Sequence, residues 1–159
     1  MTTIQLTPFK NKDTKDSAEE QALVLEQIKS TGAIFLDDKR FPLELTGRAI
    51  EMVYGAIQET DAEDGEYLRV GIRGGGCAGF EYSLNFTDDV DEDDVVTLLL
   101  LPEGNDDAGT AVVVVTDTFS AAYLKGTELD YVESVQGAGF KFINPNAKRT
   151  CGCGSSFSV

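Results

Sequence analysis

Histidine is absent from the 159 residues, and cysteine occurs only three times, as Cys77, Cys151 and Cys153. An odd cysteine count rules out a full disulfide framework, and a chain without histidine has a poor donor set for structural zinc. Basic residues are also scarce: 13 Lys and Arg stand against 28 Asp and Glu, giving a net charge of −15. That balance excludes a nucleic-acid or anionic-membrane binder, where cations must neutralise phosphate. It fits a solvated acidic surface and basic partners. No apolar run approaches the roughly 18 residues of a membrane helix. The N-terminal stretch Met1-Thr2-Thr3-Ile4-Gln5 has neither the basic region nor the apolar stretch of a secretory signal. A cytoplasmic protein is the expectation.

What is present suffices for one core, at 42% hydrophobic content. Residues 1 to about 16 are polar and read as a loose arm. A helix capped by Asp16 or Ser17 follows, with Leu23, Val24 and Ile28 as its stripe and Gly32 as its stop. Ala33 to Leu36 and Leu43 to Leu45 read as short strands. Between Gly47 and Glu59, Ile50, Val53, Tyr54 and Ile57 recur at helical spacing behind the candidate N-cap Thr46. Strands then dominate: 67–73, 80–86, 95–101, 111–115, 129–135 and 139–143. One helix after Thr116-Asp117-Thr118 interrupts them, with Phe119, Tyr123 and Leu124 expected inward. Asp88 to Asp94 holds six acids and reads as an exposed loop. The expected fold class is α+β, mainly antiparallel β with few helices. Residues 1–42 form an N-terminal extension and residues 43–159 the main domain.

Thiolates are soft ligands that select iron–sulfur clusters, zinc or Cu(I). Cys77 follows Gly74-Gly75-Gly76, three glycines that weaken a strand and expose backbone N–H groups to a ligand. Taken alone, Cys77 also suits a small buried hydrophobe. A phosphate-loop reading fails, because no Lys-Ser/Thr follows and Glu81-Tyr82-Ser83-Leu84 continues as a strand. Cys151 and Cys153 flank Gly152, a spacing too tight for a comfortable mutual disulfide. Their tail is too polar and glycine-rich for core. Three thiolates leave a four-coordinate site one ligand short. An exogenous thiol, another residue or a second protomer closes it, and a dimer pooling its cysteines is the simplest repair. No Cys-x-x-Cys is present and no cysteine begins a convincing helix, which argues against a thiol-redox enzyme.

Gly75-Gly76-Cys77-Ala78-Gly79-Phe80-Glu81-Tyr82, the segment Phe140 to Ala147, and the ending from Cys151 to Val159 resemble the A-type iron–sulfur carrier family (HesB-like, IscA-like). Leu129-Asp130-Tyr131 also resembles the family's segment before its closing strands. The likeness runs from about Leu43 to Val159. It implies a compact β-sandwich-like domain that forms dimers or tetramers. It implies that Cys77, Cys151 and Cys153 hold a [2Fe–2S] or [4Fe–4S] cluster, or mononuclear iron. It also implies a role without catalysis: taking a cluster from an assembly scaffold and passing it to apo-proteins. The alternative on the same ligands is an iron donor to the scaffold. Two features depart from the pattern. Residues 1–42 have no counterpart in compact members; a regulatory or partner-binding arm and a helix covering the sheet edge are the two readings, and the second is the expectation. Ala78 stands where many members have serine. Glu81 is expected to be a solvated surface glutamate.

Overall fold

The computed structural model describes residues 4–5, 22–23, 26, 30–59, 67–75, 79–104, 110–150 and 156–158. Its backbone is built around a long hairpin, β4 (Tyr67–Gly75) and β5 (Gly79–Thr87), paired antiparallel from Tyr67↔Thr87 to Gly75↔Gly79. Leu68, Val70 and Ile72 alternate with polar or small residues, so one face of β4 is apolar and enters the core. β8 (Ala111–Asp117) lies parallel to β4, and β7 (Asp94–Leu100) lies antiparallel to β8. β2 (Ile34–Phe35) closes that side by parallel pairing with β7. On the other side, β12 (Ser156–Ser158) pairs with β5, and β11 (Arg149–Thr150) with β12. The seven-stranded order is therefore β11-β12-β5-β4-β8-β7-β2.

A second sheet of three strands packs against the first. It joins β3 (Leu43–Leu45), β9 (Thr127–Ser134) and β10 (Gly137–Ile143) in the order β10-β9-β3. Between the sheets, Leu43, Val70, Val114, Leu129, Phe142 and Phe157 are buried in one cluster. A helix, α1 (Gly47–Glu59), closes this core with Ile50 and Val53, while Tyr54 and Ile57 pack at its margin, as the helical spacing predicts. Thr46 caps it: the Thr46 hydroxyl accepts from Ala49 N–H at 3.2 Å and donates to Asp130 Oδ1 at 2.7 Å, tying the helix start to β9. The α+β class is observed. Most ladders are antiparallel, but β2–β7, β3–β9 and β4–β8 are parallel.

The large sheet is buried on both faces over β8. Val112 and Val114 enter the core between the sheets, whereas Val113 and Val115 join a second cluster with Ala33, Tyr67, Val90 and Val96. A run of valines without alternation has this cause: both faces are covered.

Several expectations change. Asp88 to Asp94 is not simply an exposed loop. Asp89–Val90 forms β6 and pairs with β1 (Ile4–Gln5), Val90 is fully buried, and Asp94 is buried against Arg69. The composition of the stretch hid one apolar anchor and one ion pair. Of the N-terminal arm, only Ile4 and Gln5 fall among the described residues, and they are paired. Ala22, Leu23, Glu26, Ser30 and Thr31 are helical, and Gly32 follows at φ 88°, as the stop signal predicts. Leu23 is exposed rather than inward, while Val24 and Ile28 lie outside the described residues. Leu100 is also exposed, and β9 ends at Ser134, leaving Val135 in an exposed turn.

Candidate functional site

Both cysteine-bearing links border the β11-β12-β5 margin of the large sheet, and because β12 runs antiparallel to β5 they adjoin opposite ends of that ladder: the first ends at Gly79, the second at Ser156, opposite Glu81. Cys77 lies in the link from Gly75, the end of β4, to Gly79, the start of β5. Cys151 and Cys153 lie in the link from Thr150, the end of β11, to Ser156, the start of β12. All three cysteines lie outside the described residues, whereas the strands that bracket both links are described. Ser156 is opposite Glu81 and Phe157 is opposite Phe80. The strand that opens after the first link is thus hydrogen-bonded to the strand that closes the second.

The anchors are aromatic. Phe157 is 3% exposed and stacks on Tyr82 at 4.5 Å between ring centroids, with Phe80 at 5.7 Å. Tyr82 stacks in turn on Phe142 of β10 at 4.0 Å and 7°. The sheet-to-sheet core therefore runs directly into the side chain that holds the tail. Burial pushes the Tyr82 phenol above its ordinary value of 10.0, and the nearby Asn144 amide only partly offsets this. Gly79 adds a steric condition. A Cβ there would stand 3.0 Å from the Phe157 carbonyl oxygen, so β12 approaches this closely only because position 79 has no side chain.

β4 is braced from the other side by α2 (Thr118–Leu124). Asp117 caps this helix, accepting from Ser120 N–H at 2.8 Å and from the Ser120 hydroxyl at 2.6 Å. The same Ser120 oxygen accepts from Ile72 N–H at 2.9 Å, which fixes β4 just before its glycines. Leu124 is buried and Tyr123 is half-buried against Phe80 at 4.8 Å. Phe119 departs from the expected inward position and is 56% exposed. In so short a helix, Ser120 and Leu124 take the inner face, and Phe119 rests its ring on Tyr123 at 5.1 Å.

On the opposite face of β5, Glu81 is partly exposed and lies 3.6 Å from Arg73 of β4. Lys148 and Arg149 lead exposed into the second link, and Lys148 N–H donates to Ser158 O at 2.8 Å. Sequence reading singled out the cysteines by type and scarcity. It missed Phe157, Tyr82, Gly79 and Ser120 as anchors. A large aromatic four residues after the second cysteine of a polar tail was the available signal for Phe157.

Comparison with known proteins follows the same outline. The family model described as "Iron-sulphur cluster biosynthesis" matches residues 41–155. The "Iron-sulfur cluster insertion protein ErpA" of Coxiella burnetii (strain RSA 331 / Henzerling II) is 46% identical over 124 residues, covering 74% of this chain and 90% of that protein. The protein of the same name from Xylella fastidiosa (strain M12) is 47% identical over 118 residues, covering 74% and 84%. Among solved structures, IscA with a [2Fe-2S] cluster superimposes with a TM-score of 0.56 at 29% identity, covering 74% of this chain and 97% of that one. Escherichia coli SufA gives a TM-score of 0.52 at 32% identity, covering 74% and 92%.

Proposed function

Because the chain belongs to the iron–sulphur cluster biosynthesis family, we propose that it is a carrier holding a [2Fe–2S] or [4Fe–4S] cluster on Cys77, Cys151 and Cys153. It accepts this cargo from an assembly scaffold and delivers it to apo-proteins, without catalysing bond-making chemistry of its own. A dimer or tetramer in the cytoplasm supplies the ligand that three thiolates leave open. Residues 43–159 form the carrier domain and residues 1–42 an extension to it.

The observation that carries this reading is the β5–β12 register. Gly79 and Ser156 sit on neighbouring strands two rungs apart, a separation of about 8 Å from ordinary strand spacing. Cys77 precedes Gly79 by two residues and Cys153 precedes Ser156 by three. Fully extended, those two tethers reach about 17 Å together. The second link leaves β12 on the Tyr82 side, so its thiolates meet Cys77 over one small cargo only by turning back toward Gly79, and the combined reach is long enough for that turn. A thiolate-ligated cluster is anionic, and the cationic Arg73, Lys148 and Arg149 at this sheet side suit it.

The test is anaerobic purification with visible absorption and paired iron and acid-labile sulfide analysis. Near-equal iron and sulfide, with charge-transfer bands, is the expected result. Iron without sulfide turns the reading to an iron donor, and neither, even after reconstitution with ferrous iron and sulfide, sinks both. Replacing Cys77, Cys151 or Cys153 singly by serine is expected to abolish stable transfer to an apo-ferredoxin with the circular dichroism unchanged. A Cys77→Ser protein that delivers at the normal rate overturns the proposal.

A further inference from the structure

We infer that the outer face of α2 and the turn from Asn144 to Ala147 form a docking site for an acidic segment of the recipient apo-protein, with an apolar side chain of that segment seated beside Tyr123. This rests on the carrier reading. α2 turns Ser120 and Leu124 inward and leaves Phe119 and Ala122 exposed. Beside them opens a cleft of about 530 Å³, lined by Ala122, Tyr123, Lys125, Gly126 and Asn146. Its volume falls in the range of concave binding sites. Phe119 rests on Tyr123 at 5.1 Å, and Tyr123 rests on Phe80 at 4.8 Å. Aromatic rings beside a cleft are the side chains that most often carry the energy of a protein interface.

Hydrogen bonds fix the wall of the cleft. Asn144 Nδ2 donates to Tyr123 O at 3.3 Å and Asn146 Nδ2 to Lys125 O at 2.7 Å, taking up carbonyls that the end of a helix leaves free. Asn146 N–H donates to Asn144 Oδ1 at 2.8 Å, and Gly126 N–H to Pro42 O at 3.0 Å. The cleft is therefore formed before a partner arrives. Charge gives the partner's chemistry. The chain has 28 acids, yet Thr118 to Thr127 and Ser134 to Val159 contain none. Lys125 at the cleft, with Lys148 and Arg149 just past the turn, is exposed, and none of the three has a carboxylate partner among the described residues. Arg40, Arg48, Arg69 and Arg73 are paired with acids instead. The six acids of Asp88 to Asp94 follow the other end of the β4–β5 hairpin, beyond Tyr67↔Thr87. Tyr123 meets Phe80 next to Gly79, at the end whose link carries Cys77. An acidic partner is repelled from the first end and drawn to the second, which orients it for delivery.

The experiment measures binding of an acidic apo-ferredoxin to wild type, Ala122→Glu, Phe119→Ala, Lys125→Gln and Gln136→Glu, with every protein free of cluster. Gln136 is exposed in the turn before β10, and that strand separates it from Asn144 by about 20 Å. Gln136→Glu is thus the charge-matched control for Ala122→Glu. At low salt, Ala122→Glu and Phe119→Ala are each expected to weaken binding about tenfold. Lys125→Gln is expected to weaken it about threefold, a difference that shrinks as salt rises. Gln136→Glu is expected to stay within about twofold of wild type. All these side chains are exposed, so unchanged circular dichroism is expected throughout. With loaded carrier, the cleft substitutions raise the recipient concentration that gives half-maximal transfer and leave the rate at saturation unchanged. Equal weakening by Ala122→Glu and Gln136→Glu overturns the inference, as does wild-type affinity in Phe119→Ala. A change of oligomeric state in the Phe119 or Ala122 variants by sedimentation also overturns it, assigning the face to a second copy of the chain. A wild type that holds no cluster yet binds through this face sinks the carrier reading alone. A loaded wild type whose affinity no cleft substitution changes sinks the docking site alone.

Discussion

Arg69 and Asp94 form the most enclosed ion pair among the described residues. Arg69 donates to both Asp94 oxygens, at 3.1 and 2.6 Å, and also to the Asp89 carbonyl at 3.0 Å. Asp94 accepts further from Asp91 N–H at 2.8 Å. Burial lowers the proton affinity of Arg69, but the hydrogen bond and charge of Asp94, with Asp91 and Asp117, outweigh it and raise the pKa overall. Arg69 therefore stays charged at every working pH. Removing one partner leaves the other uncompensated. Asp94→Asn is expected to cost about 2–4 kcal/mol by urea unfolding, below the fully buried range because Arg69 is a quarter exposed. Tyr82 offers the pH-dependent case. Its pKa is raised by burial, so the fold disfavours the phenolate. Its contribution is fully present below about pH 10 and is lost as pH rises through the higher folded value. Tyr82→Phe is expected to flatten the alkaline limb of stability in denaturant titrations run across that window. A limb of unchanged slope assigns the loss to other groups.

At the scale of elements, β12 and its fit to β5 make the sharpest forecast. Gly79→Ala places a methyl group against the Phe157 carbonyl, and the strand must shift by a few tenths of an ångström or detach. Raised hydrogen exchange at Phe157, with the β4–β8 ladder unchanged, is the expected outcome. The helices and long strands were legible in the sequence because periodicity reports which side is buried. Ile50, Val53, Tyr54 and Ile57 marked α1, and Leu68, Val70 and Ile72 marked the inner face of β4. Thr46 was legible as a cap, and Thr116-Asp117-Thr118 as a helix start, because their side-chain oxygens match the free N–H groups of a first turn; the structure assigns the second cap to Asp117. Phe157 was not legible as an anchor, since a lone aromatic in a three-residue strand has no period. β6 was hidden likewise, with one valine among acids. Phe119 misled because an aromatic in a two-turn helix counts as core until its neighbours claim the inner face. Of the candidate site, the three cysteines were singled out by residue type and lie outside the described residues. What anchors the strands beside them depends on contacts between segments far apart in sequence.

For the whole molecule, the two-sided burial of the large sheet gives residues 1–42 a physical task. Family similarity begins at residue 41, yet Ala33 packs with Val96, Val113 and Val115 on the second face, and β2 seals the edge at β7. The extension was expected to cover an edge, and its described part reaches a face as well. Deleting residues 1–36 removes β1, β2 and Ala33. The shortened protein is expected to melt several degrees lower and to bind a hydrophobic dye. Uncovering even two or three of those side chains costs about 1.5–3 kcal/mol each. An unchanged melting point assigns the cover to other segments. The net charge of −15 fits an exposed acidic exterior, and no described helix is long and apolar enough to cross a membrane.

The pairing of β12 with β5 has a consequence in time as well as in space. A ribosome makes Phe80 long before it makes Phe157, so β5 leaves the exit tunnel with its outer edge bare. During that interval the hairpin is present and β12 is not, so Tyr82 has no Phe157 ring to stack on. That edge of β5 is closed only once synthesis has passed Ser158.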